Sequence, residues 1–151
     1  MGYSTEFKGQ FDLDVRLPRE YEDRLLLLQD QDTRDLDDDE DYPGYFCQWI
    51  LSKDRMHLRW DLGEKFNDYA EWLQWIIDEI CTPAGVLLTG RVEYQGDDVG
   101  DHGFLVIKDG QVERTQCPLV NDTFDELLAF RDFVLRSDYA DDIATAWRRR
   151  R

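Results

Sequence analysis

Val86-Leu87-Leu88-Thr89-Gly90-Arg91-Val92-Glu93-Tyr94 is followed, across a loop from Gly96 to His102, by Gly103-Phe104-Leu105-Val106-Ile107-Lys108. Asp109-Gly110 then leads into Gln111 to Gln116. β-branched and aromatic residues recur in the first two segments, and Asp-Gly between two such runs is a strong signal for a two-residue hairpin turn. The reading is three consecutive antiparallel strands, a meander. Such a sheet needs a covering layer on its apolar face.

Upstream, Phe66, Tyr69, Ala70, Leu73, Ile76, Ile77 and Ile80 recur at helical spacing on one stripe, and Thr82 and Pro83 mark its end. Before it, Tyr45 to Ser52 and Met56 to Asp61 read as a hairpin turning at Lys53, Asp54 and Arg55. Nearer the N-terminus, Phe11, Leu13, Val15 and Leu17 alternate with Asp12, Asp14 and Arg16, which predicts a half-buried strand from Phe7 to Leu17. Pro18 suits the first position of a helix from Arg19 to about Gln29. Downstream, Asn121, Asp122 and Thr123 offer caps for a helix from about Phe124 to Arg136. A final amphipathic stretch carries Tyr139, Ile143 and Trp147. The expectation is one α+β domain over residues 1–151: a mostly antiparallel sheet of about five to six strands, with about three helices on one face.

Charge sets the functional expectations. Asp and Glu number 34 against 18 Lys and Arg, a formal net of −16, and without Arg148 to Arg151 the balance is 34 against 14. Phosphate contacts need a cationic surface, so direct nucleic-acid binding is disfavoured, and anionic membranes are disfavoured for the same reason. Asp30 to Asp41 concentrates the charge, carrying Asp30, Asp32, Asp35, Asp37, Asp38, Asp39, Glu40 and Asp41 with Leu36 as its one large apolar residue. The segment at about 30–42 reads as a self-repelling, mobile loop, dispensable for folding. No apolar run approaches the roughly 20 residues a membrane helix needs. Met1 to Lys8 lack the pattern of a secretory signal, so the expectation is an intracellular, cytoplasmic protein. Cys47, Cys81 and Cys117, odd in number and widely spaced, read as buried thiols.

Few residue patterns point to chemistry. His57, between Met56 and Leu58, reads as a structural residue on the outer face of the sheet. Asp97, Asp98, Asp101 and His102 share one loop and would be the residues of a metal-dependent enzyme. The simpler reading is a long hairpin loop whose Gly and Asp residues satisfy turn geometry. Asp30, Asp32 and Asp35 resemble the start of a calcium loop, but that loop's glycine is missing, Leu36 does not fit its alternation and Asp41 stands in place of its terminal Glu. There is no phosphate-cradling glycine loop and no Gly-x-Ser-x-Gly elbow. No cofactor is called for. Trp75 projects away from the helical stripe when the wheel is phased on Phe66, with Trp72 at the edge. The pair is therefore either an exposed aromatic anchor for a partner or covered by a second helix.

Gly44-Tyr45-Phe46-Cys47-Gln48-Trp49, Leu58-Arg59-Trp60-Asp61-Leu62-Gly63-Glu64-Lys65-Phe66 and Tyr69-x-Glu71-Trp72-Leu73 resemble the motifs of a family of small uncharacterised bacterial and phage proteins. So do Met1-Gly2-Tyr3-Ser4-Thr5-Glu6-Phe7-Lys8-Gly9 and Gly90-Arg91-Val92-Glu93-Tyr94-Gln95-Gly96. The resemblance covers most of residues 1–17 and 44–112 and implies a source but no activity. The family tends to continue Thr33-Arg34 with basic residues, so the resemblance implies that the run Asp35 to Asp41 is particular to this chain.

Together these readings predict a non-enzymatic acidic binder with a basic protein partner, such as a nucleic-acid-binding complex. It would act as a phage-derived inhibitor does when it mimics nucleic-acid phosphates. The residues expected to carry binding are Asp35, Asp37, Asp38, Asp39, Glu40 and Asp41, with Trp72 and Trp75. The alternatives are an accessory module that binds through its aromatic surface and, last, the metal-dependent enzyme.

Overall fold

The computed structural model describes residues 2–117, and over them the chain forms an antiparallel six-stranded sheet with helices on one face. β1 (Thr5–Leu13) and β4 (Leu88–Gly96) pair along their whole length at the centre. The hairpin of β2 (Trp49–Leu51) and β3 (His57–Trp60) extends one side. The meander through β5 (His102–Lys108) and β6 (Gln111–Gln116) extends the other, giving the order β2-β3-β1-β4-β5-β6. The class is α+β, as the sequence implies.

Alternation explains β1: Phe7, Phe11 and Leu13 are buried while Glu6, Lys8, Gln10 and Asp12 face solvent. The strand stops at Leu13, four residues short of the expected end. There the chain leaves the sheet, and the Leu17 N–H donates to the Arg55 carbonyl at 3.2 Å. Val15 consequently lies exposed and Leu17 is fully buried outside any strand.

α1 (Arg19–Leu28) buries Leu25 and Leu28. α2 (Tyr69–Ile76) runs on through a π-helical turn, Ile77–Cys81, into a last turn, Thr82–Ala84, and ends where Gly85 adopts φ 72°. Within this turn Ile77, Ile80 and Cys81 all reach the core. Phe66 precedes the helix rather than belonging to it. Both helices cover the same face. There Phe7 meets Trp49 and Tyr69 edge-on at ring separations of 5.1 and 5.0 Å, and the Trp49 indole donates to the Tyr69 carbonyl at 2.8 Å.

β5 is buried on both faces: Leu105 and Ile107 join the helix-covered core, and Phe104 and Val106 are buried on the opposite side. His57 sits on that second face beyond β1, where its Nδ1 lies 2.7 Å from the Asp12 carboxylate. Cys47, Cys81 and Cys117 are buried, and Cys47 and Cys81 are free thiols. Burial pushes the Cys47 and Cys81 thiols up to about 12.

Two helices stand where about three were expected, because Phe124 to Arg136 and the stretch of Tyr139, Ile143 and Trp147 lie outside the described residues. Among the described residues no helix is long and apolar enough to cross a membrane.

Candidate functional site: an acidic loop seated on a tryptophan pair

Between α1 and β2 the acidic segment is anchored at several points. Asp32 caps a single 3-10 turn, Thr33–Asp35, by accepting the Arg34 backbone N–H at 2.9 Å. The same carboxylate takes the Arg34 guanidinium, with Nη2 donating to Oδ2 at 2.6 Å and Nε to Oδ1 at 3.0 Å. These bonds hold the Asp32 carboxyl below its ordinary range. The guanidinium lies over the Tyr45 ring, 4.0 Å from its centroid. Thr33 closes the base of the loop, its N–H donating to the Tyr45 carbonyl at 2.9 Å and its hydroxyl to the Gly44 carbonyl at 2.8 Å. Leu36 packs against the core.

Tyr42 joins the loop to the helix. Its ring stacks on Trp72 at 5.9 Å and lies 5.4 Å from Trp75, and its hydroxyl donates to Asp38 Oδ2 at 2.6 Å. Burial first, then the bond to Asp38, pushes the phenol up to about 12. The structure therefore brings together the two groups of residues that the sequence offers separately. Asp35, Asp37, Asp38, Asp39, Glu40 and Asp41 are all exposed, and Asp38 is linked to the tryptophans through Tyr42.

The tryptophans themselves are not an exposed anchor. Trp72 is 0% and Trp75 9% exposed. The helix wheel places Trp75 off the apolar stripe whether it is phased on Phe66 or on Tyr69, and the burial of Trp75 comes from other segments. Tyr42 covers Trp75 from the loop, and Arg24 of α1 lies 5.7 Å above its ring while donating to the Glu79 carbonyl at 2.8 Å. Exposed aromatic area comes instead from Tyr45 at 57% and Phe46 at 48%. The sequence assigns both to a strand. β2 begins only at Trp49, which leaves them in the loop. The adjacent Tyr-Phe pair beside Pro43-Gly44 is the available signal, since Pro and Gly favour a turn over the start of a strand.

A cleft of about 450 Å³ opens between the loop and the start of α2, with Arg34, Glu40, Tyr42, Gly44, Tyr45 and Asp68 among its lining residues. At Gly44 the Asp68 carboxylate and the Trp72 indole converge: a Cβ there would lie 2.6 Å from Asp68 Oδ2 and 3.1 Å from Trp72 Nε1. The indole nitrogens of Trp49 and Trp60 have acceptors, whereas those of Trp72 and Trp75 are buried without a hydrogen-bond partner.

The residues considered for a metal site have other roles. Asp101 accepts the Tyr3 hydroxyl at 2.6 Å and Arg114 Nη2 at 2.7 Å, and Asp97 accepts the Ser4 N–H at 2.8 Å, fastening the loop to the residues just before β1 and to β6. His102 belongs to β5 rather than to the loop and is buried with Nε2 2.7 Å from Glu93 Oε1. Among the described residues no group of three potential ligands could hold a metal ion.

No protein-family model, curated protein or solved structure matches the chain.

Proposed function

We propose that this chain is a non-enzymatic acidic binding protein whose partner is a basic protein site of the kind that grips nucleic-acid phosphates. The observation that carries the reading is the exposed run of carboxylates from Asp35 to Asp41, on a loop seated by Tyr42 on the buried Trp72 and Trp75. Carboxylates held on a folded surface steer toward a cationic groove, and a net charge of −16 extends that attraction beyond the contact itself. The resemblance to bacterial and phage proteins suggests where such an inhibitor would act: in the bacterial cytoplasm, on a nucleic-acid-binding defence complex.

Capture from a bacterial lysate at low and at high salt tests the reading, with a basic protein retained only at low salt as the expected result. An absence of salt-sensitive basic partners sinks it. With the partner in hand, changing Asp37, Asp38 and Asp39 together to Asn should slow association without abolishing folding.

A second reading, an accessory module binding through aromatic area, is favoured by exposed Tyr45 and Phe46 rather than by the tryptophans. It predicts a contact indifferent to salt and weakened by about 2 kcal/mol in Phe46→Ala if that ring is a hot spot.

A further inference from the structure

We infer that the outer face of the sheet over β4 and β5, turned away from α1 and α2, is the docking surface for this chain's own C-terminal segment, the occupant being the helix that the sequence predicts from Phe124 to Arg136. Alternation puts Phe104 and Val106 of β5 on that face, opposite Leu105 and Ile107. Both are buried, to 7% and 1% exposure, and His102 on the same face is 2% exposed. Their neighbours across the ladder are polar: Phe104 stands between Glu93 and Thr115, and Val106 between Arg91 and Glu113. An antiparallel sheet can leave one face in water, and a valine between such neighbours on a bare face keeps part of its surface wet. Burial as complete as that of Val106 needs a covering layer. The cover is also local. Arg91 and Glu93 are half-buried, whereas Lys8 and Gln10, which sit opposite Glu93 and Arg91 and continue the face onto β1, are exposed.

Where the described chain ends selects the occupant. After β6, Cys117 is buried and its N–H donates to the His102 carbonyl at 2.7 Å, so residues 118–151 set out from the end of β5 at the rim of the covered area. Pro118 has no N–H and cannot extend the ladder, which turns the chain away from the sheet edge. The residues from Pro118 to Thr123 can reach about 20 Å when extended, and β4 lies only two strand spacings, about 10 Å, from β6. Beyond them Phe124, Leu127, Leu128, Val134 and Leu135 fall on one helical stripe, with Asp125, Glu126 and Asp132 off it. That helix, about 20 Å long, matches the length of β5, and its apolar stripe suits Phe104 and Val106. Arg131, within the stripe, brings a positive charge to a face that carries Glu93 and Glu113. The inference is independent of the acidic-binder reading.

The test places a nitroxide spin label on Ser137→Cys, just past the predicted helix and off its stripe, in the ¹⁵N-labelled full-length protein. The parent protein taken through the same labelling is the blank. Strong broadening of the Glu93, Phe104, Val106 and Glu113 amides is expected, with Leu25 of α1 and Trp72 of α2 unaffected. Broadening of the α1 and α2 amides instead, or of none of these residues, overturns the inference. A mixture of ¹⁵N-labelled protein without the nitroxide and spin-labelled protein without ¹⁵N separates the remaining occupant: broadening in that mixture means that the face is covered by a second copy, and overturns docking within one chain. Replacing Leu127 and Leu128 together by Asp, again in the full-length protein, should lower the melting temperature by about 5 to 10 °C and shift the Phe104 and Val106 amides. An unchanged melting curve with both amides in place overturns the assignment of the stripe to this face.

Discussion

At the scale of single residues, burial decides which groups matter. Cys47 and Cys81 are enclosed and their thiols pushed up to about 12, so a thiol reagent at neutral pH should leave both unmodified in the native protein and label them once urea is added. Prompt labelling in buffer would show that the core opens. Tyr42 and Tyr69 are raised to about 12 from 10.0, mainly by burial, as the two thiols are raised from 9.0. All four groups are neutral in the fold at pH values where they ionise in the unfolded chain. Their contribution is therefore complete below pH 9.0 and is lost as pH rises toward about 12. Urea midpoints measured across that window should fall steadily, and a flat profile would contradict the assignment. Trp72→Ala and Trp75→Ala should act on stability rather than on a partner, costing about 3 to 5 kcal/mol for Trp72. A folded Trp72→Ala protein of unchanged melting temperature would be incompatible with the packing described.

Among the elements, the loop from α1 to β2 departs furthest from what composition implies. Its carboxylates are exposed, but Thr33, Leu36 and Tyr42 tie it to the body, so it is not an inert appendage. Tyr42→Ala should cost about 1 to 2 kcal/mol and shift tryptophan emission to the red, because Trp72 and Trp75 lose their cover. Asp37→Asn and Asp39→Asn should leave stability unchanged. Asp38→Asn weakens the bond from the Tyr42 hydroxyl and should cost less than about 1 kcal/mol, and paired chemical denaturation curves separate the three. The strand ends were legible only in part. Alternation from Phe7 to Leu13 is a property of the sheet, whereas Val15 continues the pattern after the chain has left it. β6 from Gln111 to Gln116 was readable to the residue because the Asp109-Gly110 turn fixes its register against β5.

For the molecule as a whole, the charge imbalance opposes compaction. Raising salt from about 0.01 M to about 0.15 M, which shortens the Debye length from about 30 Å to about 8 Å, should raise the melting temperature. A melting temperature that falls with added salt would mean that ion pairs such as Arg34 with Asp32 outweigh the repulsion.

The sequence by itself determined the α+β class, the antiparallel meander, the two helices and the anionic character, since each follows from periodicity, turn chemistry or a sum over residues that needs no spatial information. Tertiary structure alone decided that Trp75 is covered, that Tyr45 and Phe46 are exposed, and that the acidic loop and the tryptophans are neighbours. Those outcomes depend on Arg24 of α1 reaching over Trp75, on where β2 begins, and on Tyr42 meeting Trp72 across 30 residues of chain. A helix wheel carries the angles within one element but not the identity of what packs against it. The cleft beside Gly44 exists only because two distant segments of the chain, the loop and the start of α2, meet there.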